Sequence, residues 1–169
     1  MNNISHTHTN ESIMQLLCTI PDPEVPAINI VELGVVRGVE IQNDTVQVTI
    51  TPTYSGCPAM KAIEDEIVKT LLANNITQYK IKTVLLPPWT TDWLTDEAKQ
   101  KLQDYGIAPP QQTTNQHLTA MLSGKKIAVT CPYCKSGDTK LSSAFGSTAC
   151  KALHYCNACQ QPFEEFKCH

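Results

Sequence analysis

Two cysteine pairs, Cys131-Pro-Tyr-Cys134 and Cys156-Asn-Ala-Cys159, specify the fold of the C-terminal part of this chain. Two residues between cysteines let both sulfur atoms of a turn point at one ion. Two such turns complete a tetrahedral site with Zn–S distances of about 2.3 Å. The 21 residues between the pairs fit a ribbon that brings both turns together. The spacing therefore predicts a structural metal held by these four cysteines.

The distribution of cysteines along the chain predicts two domains. Six of the eight cysteines lie in the last 39 of the 169 residues. A segment this short cannot build an adequate apolar core, so a bound metal would supply the missing folding energy. The remaining length suits one ordinary domain of about 100 residues.

The chain before the ribbon has the pattern of a small α+β domain with a short mixed sheet and packed helices. Apolar residues recur at helical spacing in three segments and alternate in others, with Pro and Gly between them. The predicted helices cover 11–20, 58–73 and 95–105, and the predicted strands cover 35–42, 45–51 and 80–86. The predicted organisation is a flexible tail at 1–10, the α+β domain at 11–110, a linker at 111–125 and the ribbon at 126–169.

The ribbon contains more metal-binding side chains than one tetrahedral site needs. Cys150, Cys168 and His169 remain after the four default ligands are assigned. They are either packing and terminal residues or additional ligands, as exchanged ligands or in a second thiol-rich site. Zinc is the expected ion, although four thiolates also suit iron. His154 is expected at the surface, and the expected ribbon core is Phe145, Phe163 and Phe166.

Composition and charge exclude several classes of function. Eight cysteines without a visible export signal indicate reduced thiols in the cytoplasm. No apolar run approaches the length of a membrane span. Because the net charge is −3 and the ribbon's lysines are dispersed among acidic residues, nucleic-acid binding is not expected.

A third cysteine, Cys57, lies where a strand passes through a short loop into a helix that starts at Pro58. Unpaired N–H groups and the positive end of the helix dipole favour a thiolate there, which raises nucleophilicity and metal affinity. Cys57 is therefore a candidate functional residue, and the alternative is a loop cysteine without chemistry. A nucleophilic enzyme would also need a base, and no histidine lies between His8 and His117.

The order of several motifs resembles a known family of iron–sulfur assembly domains, which includes SufT and the cytosolic iron–sulfur targeting factors. These motifs are Asp22-Pro-Glu-Val-Pro26, Leu33-Gly-Val-Val36 and Thr51-x-Thr-x-x-Gly-Cys-Pro58. The segment Leu86-Pro-Pro-Trp-Thr-Thr-Asp-Trp-Leu-Thr95 and the cysteine-rich tail narrow the resemblance to the bacterial PaaD family of phenylacetyl-CoA epoxidase components. The resemblance covers residues 11 to 169.

The resemblance implies that Cys57 handles iron or an iron–sulfur cluster, with Asp22 as a second candidate in that site. The other role for Asp22 is to shape the turn in which it lies. One thiolate per chain cannot hold a cluster that usually takes four. A homodimer with two copies of Cys57 would supply a labile carrier that hands its cluster on.

The resulting hypothesis is a non-catalytic maturation factor of phenylacetate catabolism. It would deliver or insert iron or an iron–sulfur cluster into a phenylacetyl-CoA monooxygenase complex. The client would be the cluster-bearing reductase subunit or the di-iron oxygenase subunit. The alternative is a structural adaptor in the same complex, with the zinc ribbon as an interaction module and an inert Cys57.

Overall fold

The computed structural model describes residues 8–110 and 129–167, which divide into two compact units. The division falls between Trp89 and Thr90. Both units combine helices with a small sheet, so the predicted α+β class is confirmed. Within the described ranges, no helix combines the length and apolar character needed to cross a membrane.

The first unit is a three-stranded mixed sheet with two helices. Strand order is β1-β2-β3, with β1 antiparallel and β3 parallel to the central strand. The elements in chain order are α1 Asn10–Leu17, β1 Val36–Gln42, β2 Thr45–Ile50, α2 Ala59–Ala73 and β3 Tyr79–Thr83.

Local chemistry explains the β1–β2 hairpin and the helix α2. Asn43 and Asp44 connect the strands with positive φ values of 48° and 61°, which two-residue hairpin turns require and which these residue types tolerate. The central strand buries alternate side chains, and α2 buries the apolar stripe that its helical spacing predicts. The buried residues of these two elements are Val46, Val48, Ile50, Ala59, Ile63, Ile67 and Leu71.

Helix α1 starts one residue earlier than its sequence suggests. Thr9 is the N-cap: its hydroxyl accepts from the Ser12 N–H at 3.1 Å, and the Ser12 hydroxyl accepts from the Thr9 N–H at 2.9 Å. This reciprocal pair is a capping box. Cys18 follows the helix and is exposed.

The second unit is a four-stranded sheet preceded by helical segments. Strand order is β4-β7-β6-β5; β4 is parallel to β7, and the other neighbours are antiparallel. Its elements are a 3₁₀ helix Thr91–Trp93, α3 Asp96–Asp104, β4 Ile107–Ala108, β5 Thr139–Ser143, β6 Lys151–Cys156 and β7 Pro162–Phe166.

The division between the units differs from the predicted domain boundary. The sequence pattern placed residues 90–110 with the first domain, whereas β4 pairs with β7 of the ribbon at Ile107 and Ala108. Trp89 ends the first unit, where its indole N–H donates to the Leu33 carbonyl at 2.9 Å. A two-residue strand has no periodicity of its own, so only the pairing with β7 reveals it. The predicted linker lies outside the described residues.

Candidate metal centre and thiol site

The structure brings the side chains of Cys131, Cys134, Cys156 and Cys159 to one point. Their Sγ atoms all lie within 4.8 Å of one another, with 3.7 Å between Cys131 and Cys159 and 3.5 Å between Cys134 and Cys156. A tetrahedron with bonds of about 2.3 Å has sulfur–sulfur edges of about 3.8 Å. The thiol arrangement therefore fits a four-coordinate ion such as zinc, and these four cysteines would hold it.

The backbone of both cysteine turns repeats one pattern. In each turn, the N–H four residues after the first cysteine donates to the carbonyl of that cysteine, and the N–H of the first cysteine donates to the carbonyl five residues later. The residue after each second cysteine, Lys135 or Gln160, has a positive φ of 62° or 60°. The bonds are Lys135–Cys131 at 3.0 Å, Gln160–Cys156 at 2.9 Å, Cys131–Ser136 at 2.9 Å and Cys156–Gln161 at 3.0 Å. Backbone geometry thus orients both thiol pairs.

The first cysteine of each turn belongs to the core of the second unit. Cys131 and Cys156 are fully buried and pack with Ala108, Val129 and Phe163. Cys134 is exposed, and Cys159 is half-buried. The metal centre therefore has one side in the apolar core and one side toward solvent.

Hydrogen bonds and burial act differently on two of the thiols. Backbone N–H groups of Cys159 and Ala158 donate to the Cys156 sulfur and lower the pKa of that thiol to about 7. Burial raises the pKa of the Cys159 thiol to about 12. The four thiols therefore release protons when they bind a cation together.

The remaining candidate ligands of the ribbon are not at this centre. Cys150 is buried beside Thr148, with 3.1 Å between Sγ and Oγ1, and it is not part of the four-thiol cluster. Cys168 and His169 lie outside the described residues. The packing role expected for Cys150 fits its burial, whereas a second thiol-rich site stays a prediction.

Two expectations for the ribbon are wrong. Phe163 and Phe166 are buried, but Phe145 is 63% exposed because it lies in the loop after β5. His154 is buried rather than at the surface: its Nε2 lies 2.9 Å from a Glu165 carboxylate oxygen, and its ring stacks on Phe163. Both residue types have apolar surface, so their sequence positions alone did not distinguish core from rim.

Cys57 occupies the predicted position before the second helix. It directly precedes Pro58, the N-cap of α2, and it is half-buried. Its N–H donates to the Tyr54 carbonyl at 3.2 Å, which closes the loop, and its carbonyl accepts from Met60 at 3.3 Å. No side chain caps α2 and no acidic residue lies in its first turn. The helix N-terminus beside Cys57 therefore carries no compensating negative group of its own.

Asp22 is buried and shapes its own turn. One carboxylate oxygen accepts from the N–H groups of Glu24 at 3.0 Å and Val25 at 2.8 Å. The Asp22 N–H donates to the Ile28 carbonyl at 2.9 Å. Asp22 thus has the turn-forming role that the sequence suggested as one alternative, and a role of its carboxylate in iron handling stays a prediction.

Backbone hydrogen bonds connect the two candidate loops. The Ile30 N–H donates to Ile20, the Val35 N–H donates to Ile30, and the Thr51 N–H donates to Val35 at 2.9 Å. Ile20 lies two residues before Asp22, and Thr51 lies six residues before Cys57. Thr51 is the first residue of the motif that ends in Cys57 and Pro58, and its buried hydroxyl has no hydrogen-bond partner among the described residues.

Comparison with known families also divides the chain into two parts, one matched by each of two families. Residues 10–75 match the family of iron–sulfur cluster assembly proteins. Residues 115–167 match the PaaD zinc beta ribbon domain. The chain thus combines an iron–sulfur assembly domain with a zinc ribbon.

Relatives of known sequence cover one or both parts. A protein of Escherichia coli (strain K12) assigned as the D-type subunit of 1,2-phenylacetyl-CoA epoxidase is 43% identical over 92% of this chain and 91% of its own length. An Fe-S protein maturation auxiliary factor of Porphyromonas gingivalis (strain ATCC BAA-308 / W83) is 36% identical over 60% of this chain and 97% of its own length. The chain belongs to the PaaD family of phenylacetyl-CoA epoxidase components.

Solved structures agree with the fold of the first part of the chain. A domain of unknown function, DUF59, from Bacillus anthracis is 29% identical, with a TM-score of 0.52, and covers 55% of this chain and 90% of its own. A conserved hypothetical protein from Thermotoga maritima has the same fold at 23% identity, with a TM-score of 0.50 over 60% of this chain and 98% of its own.

Proposed function

We propose that this chain is a cytoplasmic, non-catalytic accessory factor of a multicomponent phenylacetyl-CoA monooxygenase. It delivers or inserts iron or an iron–sulfur cluster into a client protein, either the reductase or the di-iron oxygenase. Its similarity to an epoxidase component along nearly the whole chain, and to an Fe-S maturation factor over the first part, supports this proposal.

The position of Cys57 carries the proposal. A half-buried thiol immediately before a helix whose N-terminus has no side-chain cap is accessible enough to bind an incoming ion. One thiol leaves most coordination positions of a cluster to other groups, which favours transfer over storage. A homodimer would supply the second Cys57, and Asp22 stands as a candidate neighbour in the same unit.

The ribbon has a different role in this proposal. Its four thiols form a closed tetrahedral set, and closed four-thiolate sites hold structural zinc. Zinc there stabilises the second unit, and iron is the alternative occupant. The cargo therefore belongs to the Cys57 loop, not to the ribbon centre.

Metal analysis of anaerobically isolated protein tests this assignment. We expect iron and acid-labile sulfide in the wild type, their loss in Cys57→Ala and unchanged zinc in both. Cys18→Ala is the matched control, because it removes the other thiol of the first unit, which is exposed. Cluster transfer to the apo form of the reductase should be lost in Cys57→Ala and retained in the wild type and in Cys18→Ala. Cluster transfer by Cys57→Ala at the wild-type rate would overturn the proposal.

A structural adaptor is the second candidate function. The four-thiol centre is the one cluster of metal-ligating side chains found within residues 8–110 and 129–167, which favours a role based on the ribbon. An adaptor would form a stable stoichiometric complex with the oxygenase whether or not Cys57 is present. Copurification of Cys57→Ala with the complex, together with full client maturation, would identify this function.

A further inference from the structure

The outer edge of β5 in the second unit is an exposed surface of mixed character. β5 is the last strand of the sheet, and four of its five residues are exposed. Leu141 on this strand is 55% exposed, and Phe145 in the following loop is 63% exposed. We call Lys140, Leu141, Phe145 and Lys167 the β5 rim.

Specific contacts hold Phe145 toward solvent. The Ser143 hydroxyl accepts from the Phe145 N–H at 3.2 Å and donates to the Phe145 carbonyl at 2.7 Å. The Lys167 ammonium lies 4.4 Å from the centre of the Phe145 ring and donates to the Ala144 carbonyl. The exposed ring therefore sits on an ordered support, which lowers the entropy cost of using it for binding.

The two faces of β5 differ in chemistry. Leu141 pairs with His154 of β6, so it lies on the face of the sheet where His154 is buried. Lys140 lies opposite Tyr155 on the other face, and its ammonium is 5.1 Å from the centre of that ring. A segment paired with β5 would alternate its side chains between these faces. It would place apolar groups beside Leu141 and charged groups beside Lys140.

The charges of the rim select an acidic partner. Among the described residues, no carboxylate forms an ion pair with Lys140 or Lys167, whereas Lys151 pairs with Glu164 and His154 with Glu165. The rim is thus cationic in a chain with a net charge of −3. A second copy pairing edge to edge would bring lysines of like charge together, which opposes such pairing.

We propose that the β5 rim binds an extended segment of a partner protein in which apolar and acidic residues alternate. Main-chain hydrogen bonds along Thr139–Leu141 would give affinity, and the alternating side chains would give specificity. Under the proposed function, the partner is the client protein; the surface itself does not depend on Cys57.

Binding of synthetic peptides to the zinc-loaded full chain tests the rim. We expect a fluorescent peptide of alternating Glu and Val to bind and its Lys–Val counterpart not to bind. Leu141→Ser and Phe145→Ser should each weaken binding by about tenfold or more, because each removes an apolar side chain that the bound peptide would bury. Lys140→Glu should weaken it similarly and reduce the salt dependence. Leu72→Ser is the matched control, since Leu72 is an exposed leucine on α2 of the other unit.

Several results would overturn the proposal. These are equal binding of both peptides, unchanged binding in the rim variants with intact zinc content, or sedimentation showing a dimer that Phe145→Ser dissociates. A peptide array of the epoxidase components separates this proposal from the proposed function. If the designed acidic peptide binds at the rim and no epoxidase peptide does, the surface stands and the assigned client is wrong.

Discussion

Single side chains of the ribbon differ in what they contribute to the metal centre. Cys156 is a ligand candidate and a core residue at once, because its sulfur lies within 4.8 Å of the other three and the residue belongs to the buried cluster that contains Phe163 and Val129. Cys150 is also buried but faces Thr148. Substitution of these two residues therefore separates metal binding from packing.

Cys156→Ser should lower the bound zinc by an order of magnitude or more and unfold the second unit at moderate temperature. Serine is a poor ligand, and structural zinc contributes about 10–16 kcal/mol of folding free energy in small metal-dependent domains. Zinc content by mass spectrometry and thermal unfolding by circular dichroism check this. Cys150→Ser should keep its zinc; loss of zinc from that variant would show that Cys150 is a ligand.

The metal affinity of the ribbon should rise with pH between about 6 and 8. Four thiolates bind the ion, so each thiol still protonated in the free protein releases a proton on binding, and acid opposes the reaction. The Cys156 pKa of about 7 lies inside this window, and the high pKa of Cys159 extends the proton release above it. Competition with a chromophoric chelator across this range measures the slope. A pH-independent affinity would mean that the ligands are not thiols.

Asp22 offers a test of structure against iron handling. Asp22→Ala leaves two N–H groups, one of them buried, without their acceptor, at a cost of about 1–3 kcal/mol in unfolding free energy. Asp22→Asn keeps an oxygen acceptor and should lose much less. Urea unfolding of both variants checks this order. If Asp22→Asn retains stability but loses iron, the carboxylate charge acts on the cargo, and the turn is not its whole role.

At the scale of secondary-structure elements, the turn between α3 and β4 lies against the first cysteine turn. Gly106 has a φ of +88°, and a Cβ atom added there would lie 2.9 Å from the Tyr133 hydroxyl oxygen. Tyr133 stands between Cys131 and Cys134. Ala108, two residues after the glycine, packs on the buried cysteines. The turn therefore lies against the metal centre through Tyr133 on one side and Ala108 on the other.

Gly106→Ala should destabilise the zinc-loaded second unit by about 1–3 kcal/mol, chiefly because alanine is strained at this positive φ. The Tyr133 side chain can shift to relieve part of the contact. Gly137→Ala is the control, because a Cβ there meets nothing within 4 Å and no positive φ is required. Thermal unfolding of the two variants should differ by several degrees; equal stability would mean that the turn relaxes freely.

At the scale of the whole chain, each unit has its own core, so we expect the two units to unfold independently. The first unit buries its own sheet and helices without a metal-ligating cluster of described residues, whereas the second unit contains the four thiols in its core. The ribbon also stabilises β4, which lies before it in the chain. The second unit, which we expect to depend on metal, begins at Thr90 and not at the first cysteine turn.

Removal of zinc by a chelator should unfold the second unit, including α3 and β4, and leave the first unit folded. Amide hydrogen exchange followed by mass spectrometry reports both units in one sample. We expect protection to disappear in Asp96–Asp104 and Lys151–Cys156 and to persist in Thr45–Ile50. If α3 stayed protected without metal, it would unfold with the first unit and not with the second, as the sequence pattern had predicted.

Features that depend on local chemistry could be predicted from the amino-acid sequence alone. Cysteine spacing specified the four converging thiols, Asn43-Asp44 specified the β1–β2 hairpin, and Pro58 with an apolar stripe specified α2 behind Cys57. Each of these signals is complete within a few residues or within one repeated motif. The resemblance to iron–sulfur assembly proteins rested on short local motifs as well, and the family comparison confirms it.

The assignment of segments to units, and of apolar side chains to core or solvent, required the folded chain. β4 belongs to the ribbon because β7 offers it a parallel neighbour, although the two strands are more than 50 residues apart. Phe145 is exposed and His154 buried because burial depends on the neighbouring strands and their side chains, here Glu165 and Phe163 for His154. Non-local pairing of this kind leaves no periodic trace in the sequence, so the boundary at Trp89 and the β5 rim became visible only in the tertiary structure.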